Sequence, residues 1–112
     1  MNTITWSDFE KIEIRIGTII EVHDFPEAKK PAYQLIIDFG NKIGIKKSSA
    51  QITQRYAKHD LLGKQIVAIV NFPAKQIGKF MSECLVLGSI GDENDIVLLS
   101  SDATVENGLI VR

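Results

Sequence analysis

An all-β fold, five strands curled into one small barrel with short helices and terminal extensions, is predicted by three features of this 112-residue sequence. Apolar and polar residues alternate over one long run and several shorter ones, as half-buried strands require. Turn signals punctuate the chain throughout, with no linker, repeat or low-complexity stretch to divide it. One segment of helical spacing falls between the third and fourth strand-like runs. The chain is large enough to bury a core without disulfides or metals, so residues 1–112 are expected to form a single domain.

Taken in order, Ser7-Asp8-Phe9-Glu10 has the S-x-x-E form of a helix-opening capping box and predicts a short helix. Ile12, Ile14, Ile16, Thr18, Ile20 and Val22 then alternate with Lys11, Glu13, Arg15 and Glu21, predicting one long strand with a buried and a wet face. Gly17, in its middle, marks a bulge or bend that lets one strand serve two sheets. The segment from Asp24 to Pro31 is a loop, bounded by Pro26 and Pro31, neither of which can donate to a ladder. Tyr33, Leu35, Ile37 and Phe39 mark a second strand, and Gly40-Asn41 turns it directly into a third over residues 42–46. Residues 48–56 are expected to start a short helix, with Ser49 as its cap and Ile52, Arg55 and Tyr56 on one face. Gly63-Lys64 turns into a fourth strand over residues 65–70, covered on both sides. Residues 84–90 form a fifth apolar run, and residues 96–99 a further strand after the acidic turn Gly91-Asp92-Glu93-Asn94-Asp95.

A helix between the third and fourth of five strands is the order of the OB-fold, a partly open Greek-key barrel. An SH3-like barrel is the rival architecture, and the long bent first strand favours the OB arrangement.

Composition narrows the function. The only cysteine, Cys84, lies in the apolar run Cys84-Leu85-Val86-Leu87, with no histidine beside it to activate the thiol. A buried, inert thiol and a reducing compartment follow. No basic-then-apolar leader opens the chain, and no apolar stretch reaches the roughly 18 residues of a membrane helix, so a cytoplasmic protein with no membrane partner is expected. Two histidines, His23 and His59, stand among charged residues as solvated imidazoles. No H-E-x-x-H, C-x-x-C, P-loop, G-x-S-x-G or G-x-G-x-x-G spacing occurs. Asp92, Glu93 and Asp95 lack the closing Glu of a calcium loop. The expectation is a binding protein: not an enzyme, with no catalytic residue, metal site or cofactor.

The net charge of −1 conceals a basic middle. Residues 1–39 carry four basic and seven acidic side chains. Residues 40–82 carry eight basic ones (Lys42, Lys46, Lys47, Arg55, Lys58, Lys64, Lys75, Lys79) against Asp60 alone, and residues 83–112 carry one against six. Such asymmetry points to an anionic partner. The basic residues come with hydrogen-bonding and planar groups, in Lys46-Lys47-Ser48-Ser49-Ala50-Gln51 and in the segment from Asn71-Phe72-Pro73 to Gly78-Lys79. On an OB barrel, loops at such positions border the oligonucleotide surface. Phe72 has two readings, ligand-facing or core.

Phe9-Glu10-Lys11-Ile12-Glu13-Ile14-Arg15-Ile16-Gly17-Thr18-Ile19 resembles the opening of the tRNA-binding domain family, which includes C-terminal modules of methionyl-tRNA synthetases. Phe25-Pro26-Glu27-Ala28, Ile37-Asp38-Phe39-Gly40, Ser48-Ser49-Ala50-Gln51-Ile52-Thr53, Val70-Asn71-Phe72-Pro73 and Ser82-Glu83 with Leu85-Val86-Leu87-Gly88 resemble the CsaA type within it, described as export-related chaperones. The likeness covers nearly the whole chain. It implies an OB barrel, a homodimer joined outside the barrel, and tRNA binding without catalysis. Matched by position, the implied RNA-binding residues are Lys46, Lys47 and Ser48, then Asn71, Lys75 and Lys79, then Ser82 and Glu83. Lys29 and Lys30 stand where the CsaA type usually has an arginine. Ala74-Lys75 replaces a typical Pro-Arg, Met81 a residue that is often basic, and Glu106 a proline. The first two remove cationic or planar contacts and imply weaker binding.

Trp6 and Phe9 at one end, and Leu109-Ile110-Val111 at the other, lie outside the five strands and are expected to be buried against a second copy. The leading expectation is therefore a homodimer that recognises folded tRNA by shape and phosphate contacts. The alternative is a chaperone gripping unfolded or export-bound polypeptide through apolar grooves beside Phe72, Phe80 and Met81.

Overall fold

Alternation becomes strand wherever one face can be buried, and the computed structural model describes all residues, 1–112. Helix α1 (Trp6–Glu10) leads into strand β1 (Ile14–Asp24). Strand β2 (Tyr33–Asp38) is joined by a one-turn helix, α2 (Gly40–Ile43), to β3 (Ile45–Ala50). After α3 (Lys58–Leu61) and β4 (Gln65–Ile69) come β5 (Lys75–Ile77), β6 (Phe80–Ser82), β7 (Leu85–Val86), β8 (Gly88–Ile90) and β9 (Ile96–Leu98). The main sheet is antiparallel in the order β3-β2-β1-β4-β7, while β5-β6 and β8-β9 are separate hairpins. A five-stranded, nearly closed antiparallel barrel of OB type results.

The long first strand does serve two partners. Its first half, from Ile14 to Thr18, pairs with β4, and its second half, from Thr18 to Asp24, pairs with β2. The bulge lies at Ile20, between Ile19 and Glu21, rather than at Gly17. One inserted residue reverses the alternation, so Ile19 is buried and Ile20, expected on the buried face, is exposed. Gly17 instead serves packing, since a Cβ there would lie 2.7 Å from Ile37 Cγ2 and from the Phe39 ring. The core closes tightly on its missing side chain. Ile19, Leu35, Ile37, Phe39, Leu61, Ile66 and Ala68 fill that core, all at 0% exposure.

Other boundaries shift for local reasons. The cap of α1 is Thr5, not Ser7: its Oγ1 accepts from Asp8 N at 3.0 Å, and Asp8 Oδ2 accepts from Thr5 N at 3.0 Å. A helical turn replaces the tight turn after β2, which delays β3 to Ile45 and carries it through Ala50. Ser48, Ser49 and Ala50 are therefore strand, paired with Leu35, Gln34 and Tyr33, and the expected helix over 48–56 is absent. The helix before β4 is α3, further along. The fifth apolar run divides at Leu87. Its start, β7, completes the barrel sheet, whereas β8 leaves to pair with β9.

The ends lie against the barrel. Where β2 departs from β1, the C-terminal segment takes over that edge: Gly108 N donates to Ile16 O, Ile16 N to Leu109 O and Val111 N to Ile14 O, at 2.7, 3.0 and 2.8 Å. Gly108 makes the approach possible, with φ at 92° and a Cβ position only 2.5 Å from Phe39 O. Arg112 then stacks on Phe9, 5.9 Å from its ring centroid. Trp6 and Ile4 nevertheless stay exposed, as do Leu109 and Ile110.

Candidate nucleic-acid interface

Strand β3 cannot meet β6 and β7 in a regular ladder, because β7 is only two residues long. Side chains close the seam instead. Glu83 N donates to Lys47 O at 2.7 Å, and Glu83 Oε1 accepts from Lys47 N at 2.9 Å. Ser82 Oγ accepts from Ser49 N at 3.1 Å, and Ser48 Oγ donates to Cys84 O at 2.9 Å. Ser48 is 1% exposed. Its expected place among RNA-facing groups therefore gives way to a structural one, since strand alternation turns it inward toward a carbonyl that needs a donor. Ser82 and Glu83 are half-buried in the same seam.

Asn71 fixes the start of the next loop. Its Oδ1 accepts from Glu13 N at 3.0 Å and its Nδ2 donates to Lys11 O at 2.6 Å. From this anchor the chain exposes Phe72 and Pro73, then forms the β5-β6 hairpin, in which Lys75 pairs with Ser82 and Ile77 with Phe80. Gly78, at φ 60°, takes the first central position of its two-residue turn, as a type II′ turn requires. This hairpin is absent from the sequence expectation, which treats residues 71–79 as a loop. The Gly-X pair between two short alternating runs is the signal that marks it.

Three of the middle block's cations surround the hairpin, and a fourth flanks them on β3. Lys79 sits in its turn and Lys75 at its base. Lys47 lies 5.3 Å above the Phe80 ring, itself packed 5.2 Å from Phe25. Lys46, the next residue along, faces the other side of β3, and its charge favours the Cys84 thiolate. Near the tip, Phe25, Glu27, Gln34, Gly78, Lys79 and Phe80 line a groove of about 440 Å³. Near the base, Phe72, Pro73, Lys75, Ser82, Cys84 and Leu85 line another of about 350 Å³. Phe25 and Gln34 line the first groove without standing out as site residues in the sequence, whereas Phe80 is marked there only for the polypeptide alternative. Lys29 and Lys30 are exposed on the β1–β2 loop, which contributes Phe25 and Glu27 to the first groove.

The other four cations are elsewhere. Arg55 grips Asp95 with two contacts of 2.7 Å, which raises its pKa and lowers that of Asp95. Lys58 pairs with Asp24 at 2.9 Å. Lys42 lies in a cleft with Arg15, Glu106 and Asn107, and Lys64 follows the turn into β4. The basic block therefore divides into a cluster of four and a dispersed set. No three His, Cys, Asp or Glu side chains gather, and no helix is long and apolar enough to cross a membrane.

Burial pushes the Cys84 thiol up to about 11, against the hydrogen bond from Ser48 and the charge of Lys46, which both lower it. At pH 8 the folded protein is expected to resist Ellman's reagent, with full reaction only after denaturation; rapid labelling of native protein would refute the buried thiol. Because the unfolded thiol ionises first, the thiol's own contribution to stability is flat below pH 9 and falls as pH rises from 9 towards 11.

The family model described as "Putative tRNA binding domain" matches residues 14–109. A methionine–tRNA ligase from Methanocaldococcus jannaschii is 34% identical over 113 residues, covering 100% of this chain and 17% of that protein. The methionine–tRNA ligase of Nanoarchaeum equitans is 35% identical, covering 97% of this chain and 14% of its own length. The chain thus spans about a sixth of these curated relatives. Among solved structures, chaperone CsaA from Bacillus anthracis superposes with a TM-score of 0.94 at 46% identity, covering 99% of this chain and 100% of that one. The CsaA chaperone protein of Picrophilus torridus gives 0.92 at 54% identity, covering 98% and 100%.

Proposed function

This chain belongs to the tRNA-binding domain family, and on that premise we propose that it binds tRNA without catalysis, as a cytoplasmic homodimer. The observation that supports this reading most is the grouping of Lys47, Lys75 and Lys79 around the β5-β6 hairpin, with Lys46 beside them on β3. The β2–β3 face and the loops flanking it are the surface OB-folds use for oligonucleotides. Lysines are point charges suited to phosphates, so sequence matters little and the folded outline of the RNA sets selectivity. Lys29 and Lys30 extend the positive rim. Asn71, Ser48, Ser82 and Glu83 serve by holding the loop and seam in shape. Pairing through Ile4, Trp6, Leu109 and Ile110 would cover exposed apolar groups and present two such surfaces to one RNA.

If each of the four lysines neutralises one phosphate, log K for tRNA against log salt should fall with a slope of about −3 to −4 per protomer. A filter-binding titration measures it, and a flat response would sink the proposal.

A second reading has its own observation. Ile52, Leu85, Val86, Leu87, Ile90 and Leu98 help line an apolar groove of about 350 Å³ with no lysine in its lining. Such a surface suits an extended apolar polypeptide, in keeping with the chaperones this chain resembles. Suppression of client aggregation at high salt, where RNA contacts are screened, would support it.

A further inference from the structure

Phe72 is 54% exposed, although aromatic rings ordinarily supply core area. It is held firmly in that position. Asn71, one residue before it, spends its whole side chain on the backbone of Lys11 and Glu13. Pro73, one residue after it, has a fixed φ. The ring faces a groove of about 350 Å³, at the small end of ligand-sized clefts, whose other apolar walls are Pro73 and Leu85. Lys75 lines the same groove. The nearby acid, Glu83, is turned away to accept from Lys47 N, and the Cys84 thiol stays protonated at neutral pH, so neither repels an anion strongly.

We infer that this groove seats a single unpaired nucleotide, its base stacked on Phe72 and its phosphate on Lys75. The inference rests on the RNA-binding reading above and adds the class of nucleotide recognised. A paired base has its faces covered by its neighbours, whereas an unstacked one offers a free π-surface to an aromatic ring. Charge complementarity decides against an apolar peptide here, since a cation stands within the groove itself. The apolar groove between β7 and the β8-β9 hairpin has no lysine in its lining.

The test uses octa-adenylate RNA and an abasic octamer with the same number of phosphates. The unaltered protein should bind octa-adenylate at least about fivefold more tightly than the abasic strand, the lower bound of one stacking contact. Phe72→Ala should bind the two alike, Phe72→Trp should keep the preference, and Lys75→Ala should weaken both equally. An unchanged melting temperature of Phe72→Ala would confirm that the exposed ring is not needed for folding. The inference is overturned if the two strands bind the unaltered protein equally, if neither binds while tRNA does, or if the preference survives Phe72→Ala. It is also overturned if reduced, carboxymethylated α-lactalbumin loses its binding in Phe72→Ala while the base preference persists, which would give the groove to polypeptide. In these cases tRNA binding itself can stand. Loss of tRNA binding by the unaltered protein removes both readings together.

Discussion

Replacing Lys46, Lys47, Lys75 and Lys79 together by alanine should weaken tRNA binding about a hundredfold at 0.15 M salt, with the melting temperature changed by only a few degrees. At about 0.7 kcal/mol each, within the range of exposed ion pairs, four phosphate contacts amount to about 2.8 kcal/mol, or two decades in affinity. Stability is largely spared because these side chains hold no salt bridge. Only Lys47 makes a notable contact, over Phe80, worth about 0.5–1 kcal/mol. The decisive comparison is charge-matched. Replacing Lys42, Arg55, Lys58 and Lys64 by alanine removes the same four charges from a chain of net charge −1. Those side chains lie outside the hairpin cluster, and two are already paired with acids. That variant should lose less than about tenfold, through long-range field alone. Equal losses in both variants would show that total charge, and not the patch, governs affinity. Measuring both at two salt concentrations separates the cases further, since only the cluster variant should flatten the salt dependence.

Where one face of an element is buried, its residues announce it. Tyr33, Leu35, Ile37 and Phe39 alternate in the sequence and are buried in the barrel in the same order. The helical turn ahead of β4 was legible in kind but not in place. Ser48, Ser49 and Ala50 carry the small polar signature of a helix start, yet the seam against Ser82, Glu83 and Cys84 draws them into β3. That contact spans more than thirty residues of chain and leaves no periodic trace. The same long-range seam accounts for Ser48, which reads as a surface hydroxyl until its partner carbonyl is known. The lysine cluster was half legible. Charge along the chain revealed the basic block, but division into clustered and dispersed halves depends on which cations find acids from the flanking segments. Arg55 with Asp95 and Lys58 with Asp24 are examples. Phe72 had two readings because a lone aromatic beside proline has no period; its exposure removes the core reading.

Gly17→Val should be the most damaging single substitution, costing about 3 kcal/mol or more and lowering the melting temperature by roughly 10 °C or more. Backbone conformation and packing make opposite forecasts for a substitution here. If the strand needed backbone freedom at this point, the residue would have a φ open only to glycine, but Gly17 is not among the positive-φ residues and pairs regularly with Ile66. A Cβ would then be welcome in a strand, and alanine would gain about 0.5–1 kcal/mol. The geometry points the other way. The Cβ position is 2.7 Å from Ile37 Cγ2, Phe39 Cδ1 and Phe39 Cε1, and both neighbours are at 0% exposure with nowhere to move. Overpacking of this kind costs about 1–3 kcal/mol for the first methyl, which outweighs the strand gain, and valine adds two more carbons. Gly17→Ala should therefore destabilise, and Gly17→Val should do so more. Phe39→Leu supplies the internal check. Alone it leaves a void and destabilises; combined with Gly17→Ala it provides the room the new methyl needs, so the double variant should lose less than the two single losses added together. Denaturant melts of the four proteins measure the coupling directly. Simple additivity would mean that the ring of Phe39 is not what keeps residue 17 bare.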